Sequence, residues 1–158
     1  MFRAPCRALP LALSLAACTA LPPPRTPAPP PAPSPQWAGV YTGTCDLLVA
    51  AGEERQHCEP LLFVSLFPAQ TRNFVVQTRE GFVVGFRTRP TAVSAQHHEV
   101  AEVVVGEYPP LPALGHCDFV MTPDRKGSLF CECYAGGKPY RAHFRVSALK
   151  QASGRAPQ

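Results

Sequence analysis

Carboxylates are scarce in this chain. Only 11 of its 158 residues are Asp or Glu, and they are scattered, so no acid/base pair suggests itself for hydrolysis. The signatures of the common catalytic families are missing too: there is no G-x-S-x-G elbow, no Walker loop and no Rossmann glycine pattern. The nearest approach to a zinc-protease motif is "HHEVAE", residues 97–102, where Glu102 stands in place of the second His of H-E-x-x-H. That motif also requires a helix, and "EVAEVVV" is β-branched. Asparagine is almost absent, with Asn73 alone. Long apolar runs are absent as well. The N-terminal run, residues 8–17, has ten residues, against the roughly 20 that a membrane-spanning helix needs. These absences lead to the expectation of a protein that is not an enzyme, takes no cofactor and has no permanent transmembrane helix.

Proline, arginine and cysteine are plentiful. Twelve of the 15 basic residues are Arg, and the formal net charge is +4. Arg3 and Arg7 belong to a segment with the build of an export signal: a positive start, the apolar run, then Ala16 and Ala17 before Cys18. Without those two arginines, 13 basic residues face 11 acidic ones, about +2, too little to predict nucleic-acid binding. The stretch "REGFVVGFRTR" superficially suggests an aromatic RNA-binding strand, but Glu80 breaks the pattern, and its Phe residues are expected in the core. If the strands carrying Arg87, Arg89, Arg141 and Arg145 are neighbours, those side chains form an exposed basic patch.

The sequence Leu15-Ala16-Ala17-Cys18 resembles the lipobox of bacterial lipoproteins. The resemblance covers about the first 20 residues. It implies cleavage before Cys18, lipidation of that thiol, and residence in the bacterial cell envelope. Thr19, where an Asp tends to retain such proteins at the inner membrane, favours the outer membrane facing the periplasm. Two or more acyl chains hold a protein where one gives only marginal binding. After the anchor, nine of the 14 residues from Pro22 to Pro35 are proline. Such a run favours extended polyproline II, and 17 residues of it reach on the order of 50 Å. The expected organisation is a signal peptide over 1–17, a lipidated cysteine and linker over 18–36, a β-domain over 37–150, and a flexible tail over 151–158.

Inside the domain the hydrophobic period is two. In "YRAHFRVSA", Tyr140, Ala142, Phe144, Val146 and Ala148 share one face; in "GFVVGFRTR", Phe82, Val84 and Phe86 do. The continuous apolar stretch "PLLFVSLF", residues 60–67, suggests a strand buried on both faces. Gly43 marks a bulge or bend in the first strand. Turn residues at "REG", "PDRKG" and "GGK" separate the segments. About eight strands at short intervals, with no convincing helix, predict an all-β fold: a small antiparallel barrel or sandwich.

Five cysteines remain in the domain: Cys45, Cys58, Cys117, Cys131 and Cys133. In an oxidising compartment most should pair, although two bridges among five cysteines allow 15 arrangements. Cys45 and Cys58 flank a polar loop. A tight turn at 124–127 places Cys117 one step from Cys133. The expected bridges are therefore Cys45–Cys58 and Cys117–Cys133, with Cys131 a buried thiol. Cys131-x-Cys133 with His116 and His143 makes a poor zinc site, because structural zinc favours C-x₂₋₄-C knuckles in turns, and no metal is expected.

The functional expectation is a membrane-anchored envelope lipoprotein whose β-domain binds another envelope protein or component. The alternatives are a barrel that binds a small apolar ligand or lipid, and an inhibitor of a lytic enzyme such as lysozyme.

Overall fold

A computed structural model describes residues 33–55, 58–90 and 96–154. The expected signal peptide and Cys18 lie outside these residues. The described chain forms nine strands: β1 (Trp37–Ala50), β2 (Glu53–Glu54), β3 (Cys58–Leu66), β4 (Arg72–Thr78), β5 (Val83–Thr88), β6 (His97–Val105), β7 (Leu111–Met121), β8 (Gly127–Ala135) and β9 (Lys138–Gly154). A single 3₁₀ turn, Pro68–Gln70, joins β3 to β4. From β3 onward each strand pairs antiparallel with the next, β1 pairs with β3, and β9 returns to pair with β1. The result is a closed eight-stranded meander barrel with the two-residue β2 folded back on β1. Closure gives each of the eight wall strands a partner on both sides, with β1 and β3 parting beyond Thr42↔Leu61.

Alternation fills the inside. Phe74 and Val76 of β4, Val84 and Phe86 of β5, and Phe144 of β9 are completely buried, each such side chain contributing about 1.5–3 kcal/mol by leaving water. Eight strands enclose a space that side chains of this size can fill. Charged side chains take the outer wall, where Arg141 meets Glu132 at 2.7 Å and Arg145 grips Asp46 through two 2.7 Å hydrogen bonds. A charged outer wall is the inverse of a membrane-spanning barrel, whose lipid-facing band is apolar.

The turns set the registers. Gly136 and Gly137, both with positive φ, close the two-residue β8–β9 hairpin, the geometry that a right-twisted hairpin favours. The β7–β8 connection is longer than the sequence suggests. It spans Thr122–Lys126, is closed by the Thr122 N–H donating to the Lys126 carbonyl (2.8 Å), and has Arg125 in the left-handed region at φ 61°. Met121 therefore faces Gly127, and Cys117 faces Cys131. This overturns the expected Cys117–Cys133 bridge. The disulfide joins Cys117 to Cys131, with Cα atoms 4.0 Å apart, and Cys133, opposite Gly115, keeps a free thiol. Cys45 is bonded to Cys58, just beyond the point where the β1–β3 ladder stops at Thr42↔Leu61.

Three other expectations change. Residues 151–154 are not a loose tail: β9 continues to Gly154, paired with Trp37–Val40. Main-chain pairing needs no apolar side chains, so the polar "KQAS" gave no sign of it. Ala148 is exposed, because the β1–β9 register shifts between Thr42↔Ala148 and Gly43↔Val146, and one extra residue turns a side chain to the other face. In β3, Leu62 and Val64 face the core, while Leu61 and Phe63 are only partly covered on the outer wall.

Candidate functional site

The two ends of the barrel differ. One is closed by the short turns after β1, β4 and β8. At the other, the chain enters at β1 and leaves at β9, and β3, β5 and β7 have their C-terminal ends. This second end holds a cavity of about 630 Å³, within the range of small-ligand sites, roughly 300–1,000 Å³.

Alternation explains why these residues meet there. Trp37 and Tyr41 are inward positions of β1, and Phe119 and Met121 are inward positions of β7; all four line the cavity. The indole of Trp37 lies across Gly39, so closely that a β-carbon there would come within 2.7 Å of ring atom Cζ2. An aromatic column then runs into the core. Trp37 and Tyr41 have centroids 6.3 Å apart, Tyr41 meets Phe119 edge-on at 5.8 Å, and Phe119 meets Phe74 at 5.4 Å.

Two arginines interrupt this apolar lining. Arg72 opens β4 on the same face as Phe74, Val76 and Thr78, so its side chain is directed to the barrel mouth. Its backbone N–H donates to Thr88 Oγ1 at 2.9 Å, tying the start of β4 to the end of β5. Burial pushes the Arg72 guanidinium below its ordinary value. Arg125 reaches the rim from the left-handed position of the β7–β8 turn. Burial raises the Tyr41 phenol, against a smaller opposing pull from Arg72 and Arg125, so the group stays a neutral hydroxyl. All eleven Asp and Glu residues lie within the described residues. Among the described residues no ion pair joins any of them to Arg72 or Arg125.

The residues singled out from the sequence sit elsewhere. Cys117 and Cys131 are core, and Cys45–Cys58 staples the wall. Cys131 and Cys133 point inward while His116 and His143 lie on the outer face, so these four do not converge. The supposed basic patch dissolves: Arg87 is on β5 and Arg141 and Arg145 are on β9, each beside a carboxylate. His98 of the "HHEVAE" stretch is buried beside Phe74, with ring centroids 5.7 Å apart, while Glu99 is exposed. Among the sequence signals, one clue to the cavity was available: an arginine, Arg72, at the end of the alternating apolar face of "RNFVVQT".

Cys133 offers a direct check on core packing. Burial, reinforced by the neighbouring Glu132 charge, pushes its thiol from 9.0 up to about 12. An unfolded cysteine ionises near 9, so the thiol's preference for the folded state is complete below that pH and fades as pH rises toward 12. At pH 8 iodoacetamide is expected to leave Cys133 unmodified in the folded protein and to alkylate it fully in guanidinium, as read by peptide mapping. Native labelling at the rate of a free cysteine would contradict its burial.

No protein family, no curated protein and no solved structure matches this chain.

Proposed function

We propose that the protein is an exported, lipid-anchored barrel that binds a small apolar ligand in the cavity at the end where its linker joins. The observation that carries this reading is the cavity itself: a barrel whose centre is packed with Phe74, Phe86 and Phe144 has about 630 Å³ open at one end, lined by Trp37, Tyr41 and Phe119. Aromatic and aliphatic walls with a few polar groups are the usual make-up of such sites. The anchor reading rests on the Leu15-Ala16-Ala17-Cys18 sequence.

Trp37 is the only tryptophan, so its emission reports on the cavity alone. The expected result with an uncharged amphiphile such as octanol is a saturable blue shift. An emission spectrum that does not respond at any concentration up to octanol's solubility limit would refute the binding reading. The anchor has its own test: mass analysis of the mature N-terminal peptide should find it beginning at Cys18 with acyl groups attached, and a bare Cys18 behind an intact leader would refute it.

A second reading has one observation in its favour. Leu114 and Tyr134, cross-strand neighbours on β7 and β8, are 73% and 51% exposed on the outer wall. Two adjacent apolar side chains left in water suit contact with another envelope protein.

A further inference from the structure

We propose that the ligand of this cavity is an anionic amphiphile, its single charged head, a carboxylate or phosphate monoester, bound by Arg72 with help from the Tyr41 hydroxyl and Arg125, and its apolar body lying against Trp37 and Phe119. This rests on the preceding reading that the cavity takes an apolar ligand, and adds the charge and orientation of that ligand.

The inference follows from the state of Arg72. A guanidinium stays charged under all ordinary conditions, and drawing it into an apolar recess is costly unless a counter-charge meets it. The inward face of β4 places Arg72 at the mouth among aromatic rings. The nearby carboxylates are already engaged: Glu102 with Arg87 at 3.3 Å, and Asp124 with Lys126 at 3.4 Å. Arg72 also borders a second depression of about 590 Å³, on the side of Pro33 and Pro35. The Arg87–Glu102 pair lines that depression and supplies its own counter-charge, whereas the cavity proper contains Arg72, Arg125 and no acid. A planar guanidinium fork matches a carboxylate or phosphate with two parallel hydrogen bonds. Tyr41 is held neutral by its burial and adds a donor beside that fork. Beyond the head group the lining is Val64, Leu66, Met121 and the rings, so the rest of the ligand is apolar.

The test uses the full chain in phosphatidylcholine vesicles, with protein-free vesicles correcting for partition. Octanol, octanoate and octyl phosphate are titrated against Trp37 emission. The expected result is that at least one anion binds with a Kd at least tenfold below that of octanol; which of the two binds more tightly distinguishes a carboxylate from a phosphate source. Arg72→Gln is expected to bring the anions to the level at which the same variant binds octanol, at least a tenfold loss of the anion preference. Arg72→Lys, which keeps the charge and loses the fork, should fall between. A melting temperature and far-ultraviolet circular dichroism spectrum like the parent's show that both variants still fold. If octanol binds as tightly as both anions, the cavity reading survives and the charge assignment is overturned. If none of the three moves the emission, the cavity reading fails and this proposal fails with it.

Discussion

Replacing Phe74 by alanine is expected to lower the unfolding free energy by about 3–5 kcal/mol, among the largest effects of any single core substitution in this chain. Phe74 sits at the centre of the barrel with no exposure. It pairs across one ladder with Phe86 and across the other with Val64, and touches the rings of Phe119 and His98. Its walls are strands held on both sides by hydrogen-bonded ladders, so they cannot collapse far into the space left behind. The loss therefore includes both the transfer energy of the ring and the void that remains. The void would also join the end cavity by way of Phe119. The check is denaturant unfolding: the midpoint should fall sharply while the m-value is retained. A loss below about 1 kcal/mol would mean that the interior rearranges freely and is not the close-packed core described here.

Gly43→Val is expected to cost about 3 kcal/mol or more and to act at one place, the seam that closes the barrel. Gly43 lies in β1 opposite Val146 of β9, beside a register shift. A β-carbon at this position would overlap the carbonyl oxygen of Arg145 and approach Phe144 Cε1 to 2.6 Å. The obstacle is backbone, so no rotamer change relieves it, and β1 and β9 have to move apart. From Gly43 to Val49, β1 pairs with β9 and no longer with β3, so displacement there removes the ladder that holds this half of β1 to the wall. Hydrogen exchange should show lost protection in the amides of residues 43–49 and 141–146, while the β4–β5 hairpin stays protected longest. A variant with the parent's melting temperature and exchange pattern would show that the seam tolerates a side chain.

These two residues also mark what the sequence makes legible. Tyr140 to Val146 in "YRAHFRVSA" declare an inner face through strict alternation, and Phe74 and Val76 in "RNFVVQT" do so less cleanly because Val75 is apolar too. Gly43 stands out as a bulge because a glycine interrupts an otherwise good strand. Closure is a different matter. Trp37 pairs with Gly154 through backbone groups that every residue carries, so neither the β1–β9 seam nor the extension of β9 over residues 151–154 leaves a mark on side-chain pattern. The same reasoning covers the disulfide. The register of β7 on β8 depends on how many residues the turn consumes, and Arg125 takes a left-handed conformation that its identity does not advertise. The cavity is the least legible feature. Trp37, Tyr41, Arg72 and Phe119 are scattered along the sequence, and only the up-and-down order of the strands brings their ends to one mouth. Arg72 on an apolar face was the single local sign of it.

The account depends most on where a ligand sits, and a nitrogen-15 amide NMR titration with octanoate locates it directly. The predicted result is saturable shifts confined to the end of the barrel where β1 begins, at Trp37, Tyr41, Arg72, Phe119, Met121 and Arg125, with the Gly136–Gly137 turn at the opposite end unmoved. Shifts centred instead on Leu114 and Tyr134 of the outer wall, or spread evenly over the domain, would contradict it.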